Sequence, residues 1–498
     1  MRKWTLAALG ALLGLAAIPA CSSGGGEEST SKAREDRGAP LHVLLIVIDT
    51  LRADHLSCYG YWRETSPNMD AMAKRGVLFT RAISQSSWTA PSMVTMMTGQ
   101  RVSGPHLVLP EDRPALAELF RDAGFRTGAW VANDLLSISN GYHRGFERWT
   151  GERAWHKTKP PGLLEPILDW FAETAEEDSF TWVHFTDPHD PYLPPKDERS
   201  GIEGRLGEHR ERLIAEAAER RELKDTIAAQ AQEIARQVGL YDDEIKTVDR
   251  KVRRLLLGLE EHGGLENAIV VLTSDHGECL WERAESERRV ALQEEGRGDE
   301  AQIQNLLKKT HGDFVYQELV HVPLIIMAPG LERGQVIDTL AEAVHLPSTI
   351  LALADVRVAG VEELSGVDLF GREAPPGAYT MTKLGEAFIG PDGWKLILPT
   401  EMGREEFGRL VQLYDLNADP AERENLAEER PDKVAELEAL LAERRASALP
   451  QPPLEVLRAQ HRAAKQALQD LGYAGGGHAD DLVGGEGADS EGGGGDPH

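Results

Sequence analysis

The chain has 498 residues, 82 Asp and Glu against 54 Lys and Arg, a formal charge of −28, 41% hydrophobic residues and three cysteines. That composition excludes collagen-like, disulfide-rich and wholly disordered classes, and the length suits about two to four domains or one large α/β domain with additions. A chain this acidic would have to concentrate its Lys and Arg to hold a phosphate backbone, so no nucleic-acid partner is expected.

Residues 1–21 open with Arg2 and Lys3 ahead of an apolar run from Leu6 to Ala17. This is the layout of a secretory signal rather than of a spanning helix. The string Ile18-Pro19-Ala20-Cys21 resembles the lipobox of bacterial lipoproteins, which implies that Cys21 becomes a lipidated N-terminus. Residues 22–40 form a polar tether without core-forming side chains. The expected location is therefore outside the cytoplasm, lipid-anchored in the bacterial cell envelope on its periplasmic or outer-membrane face, with Cys21 as the membrane contact. Cys58 and Cys279 then remain to pair or to stay buried as small hydrophobes.

The globular part begins at His42 with HVLLIVID, an apolar run that delivers an acid at its end. A strand buried on both faces of a parallel sheet has this pattern, and open α/β sheets bind ligands at that carboxyl edge. The pattern recurs in Phe180 to Thr186 before Asp187 and in Ala268 to Thr273 before Ser274, Asp275 and His276. Further apolar runs cover Thr127 to Ala132 and Val322 to Ala328, and Ser66-Pro67 with Gly76 punctuates a helix around NMDAMAKR. The fold class expected is α/β with a large, mostly parallel sheet flanked by helices.

Two charged stretches read as insertions. Residues 205–238 carry apolar residues at 213, 217, 227, 231, 234 and 238, one face of a helix. Residues 281–309 interrupt the chain just after Asp275 and His276. Both are expected as solvated helices on the rim, the sharper alternative being a lid that selects substrate. A terminal helix is expected over 449–474. Residues 475–498, with ten glycines, six acids and no Lys or Arg, are expected to be disordered.

Four strings carry the chemistry. Asp49 ends the first strand. In SSWTAPSMVTMMTG, Pro91 suits the first position of a helix closed by Gly99, which puts Thr89 by the helix N-terminus, where an anion is favoured. DPHDPY holds His189 between two prolines with Asp187 just ahead of them, and TSDHGE holds Asp275 and His276, joined later by His311. Carboxylates, imidazoles and a hydroxyl at strand ends make a site for a hard or borderline divalent cation. His184 and His345, among apolar neighbours, are read as satisfied interior histidines.

In this order and spacing the strings resemble the sulfatase family of the alkaline phosphatase superfamily. The likeness covers LLIVIDTLRADHLSCYGY, TSPNMDAMAKRGVLFTRAISQSSWTAPS, DPHDPYLPP, YDDEIKTVDRKVRRLLLGLEEHGGLENAIVVLTSDHGE, YQELVHVPLIIMAPG and LYDLNADPAERENLA. It implies a catalytic domain over 41–375 with a central mixed sheet, and a C-terminal subdomain over 376–448 with a small antiparallel sheet. It also implies that Asp49, Asp275 and His276 hold a divalent cation (Ca, Zn or Mn) touching Thr89 at the nucleophile position. His189 and His311 fall near the bound ester.

The departures are specific. Sulfatases carry a cysteine or serine, converted to formylglycine within C/S-x-P-x-R, where this chain has Thr89-Ala90-Pro91-Ser92-Met93. No formylglycine is expected, because the aldehyde requires an unbranched Cβ. Thr50 replaces a second aspartate and Gly312 stands where many sulfatases place a lysine. A cation-activated threonine is still sufficient for in-line attack on a sulfate or phosphate ester, with His189 or His311 as proton donor or base. Asp187, His189 and His311 could alternatively hold a second metal. The expected partner is a sulfated or phosphorylated small molecule, glycan or lipid. The alternatives are a phospho-group transferase on envelope lipids or glycans, and a catalytically idle binding protein with this fold.

Overall fold

The computed structural model describes residues 38–151, 163–202, 224–262, 264–280, 311–371, 376–408 and 410–450, with 453, 455 and 456 beyond. The export signal, the tether up to residue 37, the insertion over 281–309, the first part of the other insertion and the glycine-rich tail lie outside them.

The larger sheet has nine strands: β1 (His42–Ile48), β2 (Val77–Ile83), β3 (Arg126–Val131), β4 (Arg148–Gly151), β5 (Ser179–Phe185), β6 (Ala268–Thr273), β7 (His321–Met327), β8 (Gln335–Ile337) and β9 (Ala341–Glu342). Their order is β4-β3-β5-β1-β6-β7-β2-β8, with β9 also on β2. Strands β4 to β6 run parallel, β7 is antiparallel to both neighbours, and two reversals return β2 to the direction of β1. The carboxyl ends of β1, β5, β6 and β2 and the entry to β7 therefore share one edge.

The apolar runs form the central strands because both faces are covered. All seven residues of β1 are buried. Val43, Leu45 and Val47 feed the core on one face and Leu44, Ile46 and Ile48 the core on the other. Each such side chain contributes roughly 1.5–3 kcal/mol on burial. On one side the long helix Lys224–His262 packs Ile234, Val238, Tyr241, Ile245 and Val248 into the core. It absorbs the second part of the expected 205–238 insertion, so Ile234 and Val238 belong to a core helix and not to a separate rim helix.

The second sheet, order β10-β11-β12-β13, consists of β10 (Ala378–Met381), β11 (Gly385–Ile389), β12 (Trp394–Pro399) and β13 (Gln412–Asp415), all antiparallel. The helix Pro431–Ala446 lies over it, burying Leu437 and Leu441. Arg101 holds Glu342 at the end of β9 at 2.7 Å. Lys395 on β12 holds Glu422 at 2.6 Å, and this buried pair ties the second sheet to the segment ahead of β7 through the Val315 carbonyl and Gln317 N–H. Cys58, half-buried, and Cys279, buried, form no disulfide among the described residues. Among the described residues no helix is long and apolar enough to cross a membrane.

Candidate active site

Asp49 follows β1 directly, and its backbone N–H donates to the Phe185 carbonyl, extending the ladder past the strand end. Asp275 and His276 follow β6. Ser274, between β6 and Asp275, ties the two strand ends together: its hydroxyl donates to the Ile48 carbonyl and accepts from Leu51 N–H. Ligand atoms of Asp49, Asp275 and His276 lie within 4.8 Å of one another, and all three residues are buried.

Thr89 opens the helix Thr89–Thr98, two residues earlier than expected, with extended Trp88 as its N-cap and Pro91 at the third helical position. Proline is tolerated there because the first-turn N–H groups have no helical partner. Gly99 closes the helix in the left-handed region (φ 61°), as the sequence suggested. The Thr89 hydroxyl lies 3.2 Å from His276 Nε2. His276 Nδ1 is 2.8 Å from the Gly277 carbonyl, so it carries the ring proton and leaves the lone pair on Nε2.

The other two histidines are held in the same way. His189 Nδ1 donates to the Asp190 carbonyl (2.6 Å), and His311 Nδ1 donates to Glu278 Oε1 (3.0 Å). The His311 ring centroid lies 5.1 Å from that of His189 and 4.8 Å from that of His276. Three imidazoles thus converge with their protons on the outer nitrogens. Burial drives His276 below its ordinary pKa against the pull of Asp275, which keeps it neutral. Burial pushes the Asp275 carboxyl up, but the His276 and His184 rings and the Thr89 hydroxyl outweigh it and hold the carboxyl below its usual range.

These residues fit a divalent cation. Asp275 Oδ1 accepts from His276 N–H (2.9 Å), whereas Oδ2 is buried with no hydrogen-bond partner. Two buried carboxylates beside a neutral imidazole whose outer N–H donates to a carbonyl is the arrangement of a metal ligand set.

Asp187 is arranged differently. Its Oδ2 pairs with the Lys251 ammonium at 2.6 Å, so a lysine from the long helix occupies the carboxylate that a second cation would need. Among the described residues the structure brings together Asp49, Asp275 and His276 as a ligand cluster, and not Asp187, His189 and His311.

The departures sit in distinct local settings, and nothing in the structure explains the threonine at 50. Thr50 sits at φ 56°, strained for a β-branched residue, with its hydroxyl buried and unpartnered. Tyr241 holds the turn by donating to the Thr50 carbonyl (2.7 Å) and accepting from Arg52 N–H (3.0 Å). Met93 is fully buried in the apolar core. Gly312 has φ 88°, which any side chain would strain, although the nearest atom to an added Cβ is 3.8 Å away.

Sequence reasoning missed several residues. Asn133, just past β3, donates to Asp49 Oδ2 at 2.9 Å. Lys251 and Glu278 hold Asp187 and His311. The reading of His184 as satisfied is corrected, since neither ring nitrogen has a hydrogen-bond partner. His345 is half satisfied: Nδ1 accepts from Val367 N–H and Nε2 has no partner. The strand order brings these residues to the edge, and only the position of Asn133 one step beyond an apolar run gave a local signal.

The fold thus sets an acid–imidazole cluster at the carboxyl edge of its larger sheet. The sulfatase family profile matches residues 42–356, and the chain belongs to the sulfatase family. It is similar to the ulvan-active sulfatase of Formosa agariphila, 22% identical over 377 residues, covering 68% of this chain and 65% of that one, just under two thirds of its length. It is also similar to an arylsulfatase of Clostridium perfringens, 22% identical over 480 residues, covering 80% and 93%. The solved phosphonate monoester hydrolase of Agrobacterium radiobacter superposes with a TM-score of 0.63 at 18% identity, over 82% of this chain and 96% of that one, which shows a shared fold.

Proposed function

We propose that this chain hydrolyses sulfate or phosphate esters through Thr89, with one divalent cation held by Asp49, Asp275 and His276. The observation that carries the reading is the Thr89 hydroxyl 3.2 Å from His276 Nε2, at a helix start against the buried carboxylate cluster. A bound cation would lower the pKa of the hydroxyl and offset charge on the ester oxygens. Thr89 Oγ1 forms the new bond to sulfur or phosphorus as the bond to the departing alcohol breaks. His189 or His311, with Nδ1–H held by its acceptor, takes the Thr89 hydroxyl proton at Nε2 and delivers it to the departing alcohol. The same ring then takes a proton from the water that cleaves the bond to Thr89 and returns it to Oγ1, regenerating the hydroxyl. The Lys251–Asp187 pair favours the one-cation form.

The names of the relatives, an ulvan-active sulfatase among them, support a sulfated glycan as substrate, and the phosphonate monoester hydrolase fold supports testing phosphorus esters as well. The test is turnover of aryl sulfate, phosphate monoester, phosphodiester and phosphonate monoester, with added divalent cations, in the native chain and in Thr89→Ala. Loss of at least about a thousandfold is expected for Thr89→Ala on whichever ester is cleaved. Activity that survives the substitution removes the nucleophile. No turnover of any ester favours the idle binding protein, and product formed only with an added alcohol favours the transferase. We further propose export and anchoring through lipid on Cys21, tested by lipid labelling that Cys21→Ser must abolish.

A further inference from the structure

His184 lies on β5, paired with Val47 of β1 and Val131 of β3, and is wholly buried. Its ring stands edge-on to Trp182 at 6.3 Å. Neither ring nitrogen finds a hydrogen-bond partner. Nε2 lies 3.7 Å from Asp275 Oδ2, the oxygen of that carboxylate that is likewise without a partner. A buried polar atom without a partner is disfavoured, and here two of opposite character face each other across a gap slightly too long for a hydrogen bond.

The other oxygen, Oδ1, is fixed by His276 N–H (2.9 Å) and lies 3.4 Å from Thr50 N–H. Oδ2 is therefore the freer end of the carboxylate; His276 Nε2, in the ligand cluster itself, and His184 Nε2 both lie 3.7 Å from it, and His184 approaches from the strand two places away across β1. His184 lies outside the cluster whose ligand atoms fall within 4.8 Å of one another, so it is not a ligand by geometry.

We propose that His184 is a positioning residue for the cation site: its Nε2–H donates to Asp275 Oδ2 in the loaded protein and so fixes the orientation in which that oxygen meets the ion. The proposal rests on reading Asp49, Asp275 and His276 as the cation site. Carboxylate ligands are commonly held from behind by such donors, and losing the donor weakens metal binding about 10–100-fold. A histidine inside an apolar strand otherwise has no reason to sit beside a carboxylate.

The test is calorimetric binding of Ca2+, Mn2+ and Zn2+ to the full chain and to Asp275→Ala, His184→Phe and His184→Gln. Circular dichroism and metal-free melting establish that each variant is folded. The expected result is no binding in Asp275→Ala, binding weakened about 10–100-fold in His184→Phe, and recovery of most of that loss in His184→Gln, whose amide restores a donor. A folded His184→Phe that binds within about twofold of the native chain, while Asp275→Ala does not bind, overturns the role of His184 and leaves the cation site standing. If the native chain binds none of the three ions, or Asp275→Ala binds as tightly as the native chain, both readings fail together. Should His184→Phe not fold, His184→Gln alone decides: retained affinity supports the donor, and a loss as large as that of Asp275→Ala overturns it.

Discussion

Replacing Lys395 by Met tests how the second sheet holds the catalytic edge. The Lys395 ammonium and the Glu422 carboxylate lie 2.6 Å apart with both side chains fully buried. The ammonium also donates to the Val315 carbonyl (2.5 Å), and Glu422 Oε2 accepts from Gln317 N–H (2.7 Å). With Thr382 donating to the Asp313 carbonyl and Lys383 paired with Asp313, the second sheet grips the segment that begins at His311. Charges at that separation attract by about 6 kcal/mol at an effective dielectric of about 20. Desolvation offsets much of this, but removing one partner strands the other. Lys395→Met is therefore expected to cost about 3–5 kcal/mol, and the double variant Lys395→Met with Glu422→Gln to recover at least about half. Urea unfolding followed by far-ultraviolet circular dichroism measures both. A cost below about 1 kcal/mol for the single variant, or a double variant as unstable as the single, refutes the clamp.

Two further outcomes follow from the burial of charge. The ligand oxygens of Asp49 and Asp275 lie within 4.8 Å, so without a cation the two carboxylates repel by at least about 3.5 kcal/mol at an effective dielectric of about 20. Asp275→Asn should thus gain nothing from divalent ion, whereas the native chain should gain about 2.7 kcal/mol at a hundredfold excess over Kd. Melts that no divalent ion shifts would contradict this. His345 is pushed down to about 3 from 6.5, chiefly by burial. Below pH 6.5 the unfolded chain takes a proton that the folded chain refuses, so stability falls with acidification between about 6.5 and 3. The residue's share approaches about 1.4 kcal/mol per pH unit. His345→Asn keeps an acceptor for Val367 N–H and should flatten the slope by that amount, measured by urea unfolding across pH; an unchanged slope removes the assignment.

The central strands were legible because burial on both faces writes an unbroken apolar run: β6 matches Ala268 to Thr273, and β3, β5 and β7 shift by one residue at each end. Strand β2 gave no such run. Thr80 and Arg81 interrupt it where the register shifts between Phe79 and Ala82, and both are only half-buried. At the site, the residues at strand ends could be read because each ends its own run. His184, Lys251 and Glu278 could not. His184 meets Asp275 across β1, and Lys251 meets Asp187 from a helix 64 residues further along the chain. Such contacts arise from strand order and helix packing, which one sequence does not display.

The strained turn at Thr50 also sets a charge balance. With a neutral hydroxyl at 50 and a neutral imidazole at 276, the cluster contributes two negative charges, from Asp49 and Asp275. A divalent cation seated there would leave a centre of zero net charge, where a third carboxylate would leave it negative. An anionic ester would then approach without repulsion from the shell that holds the ion, and a phosphate dianion gains more from that neutrality than a sulfate monoanion. On the proposed reading, the threonine at 50 would favour the more highly charged of the two ester classes.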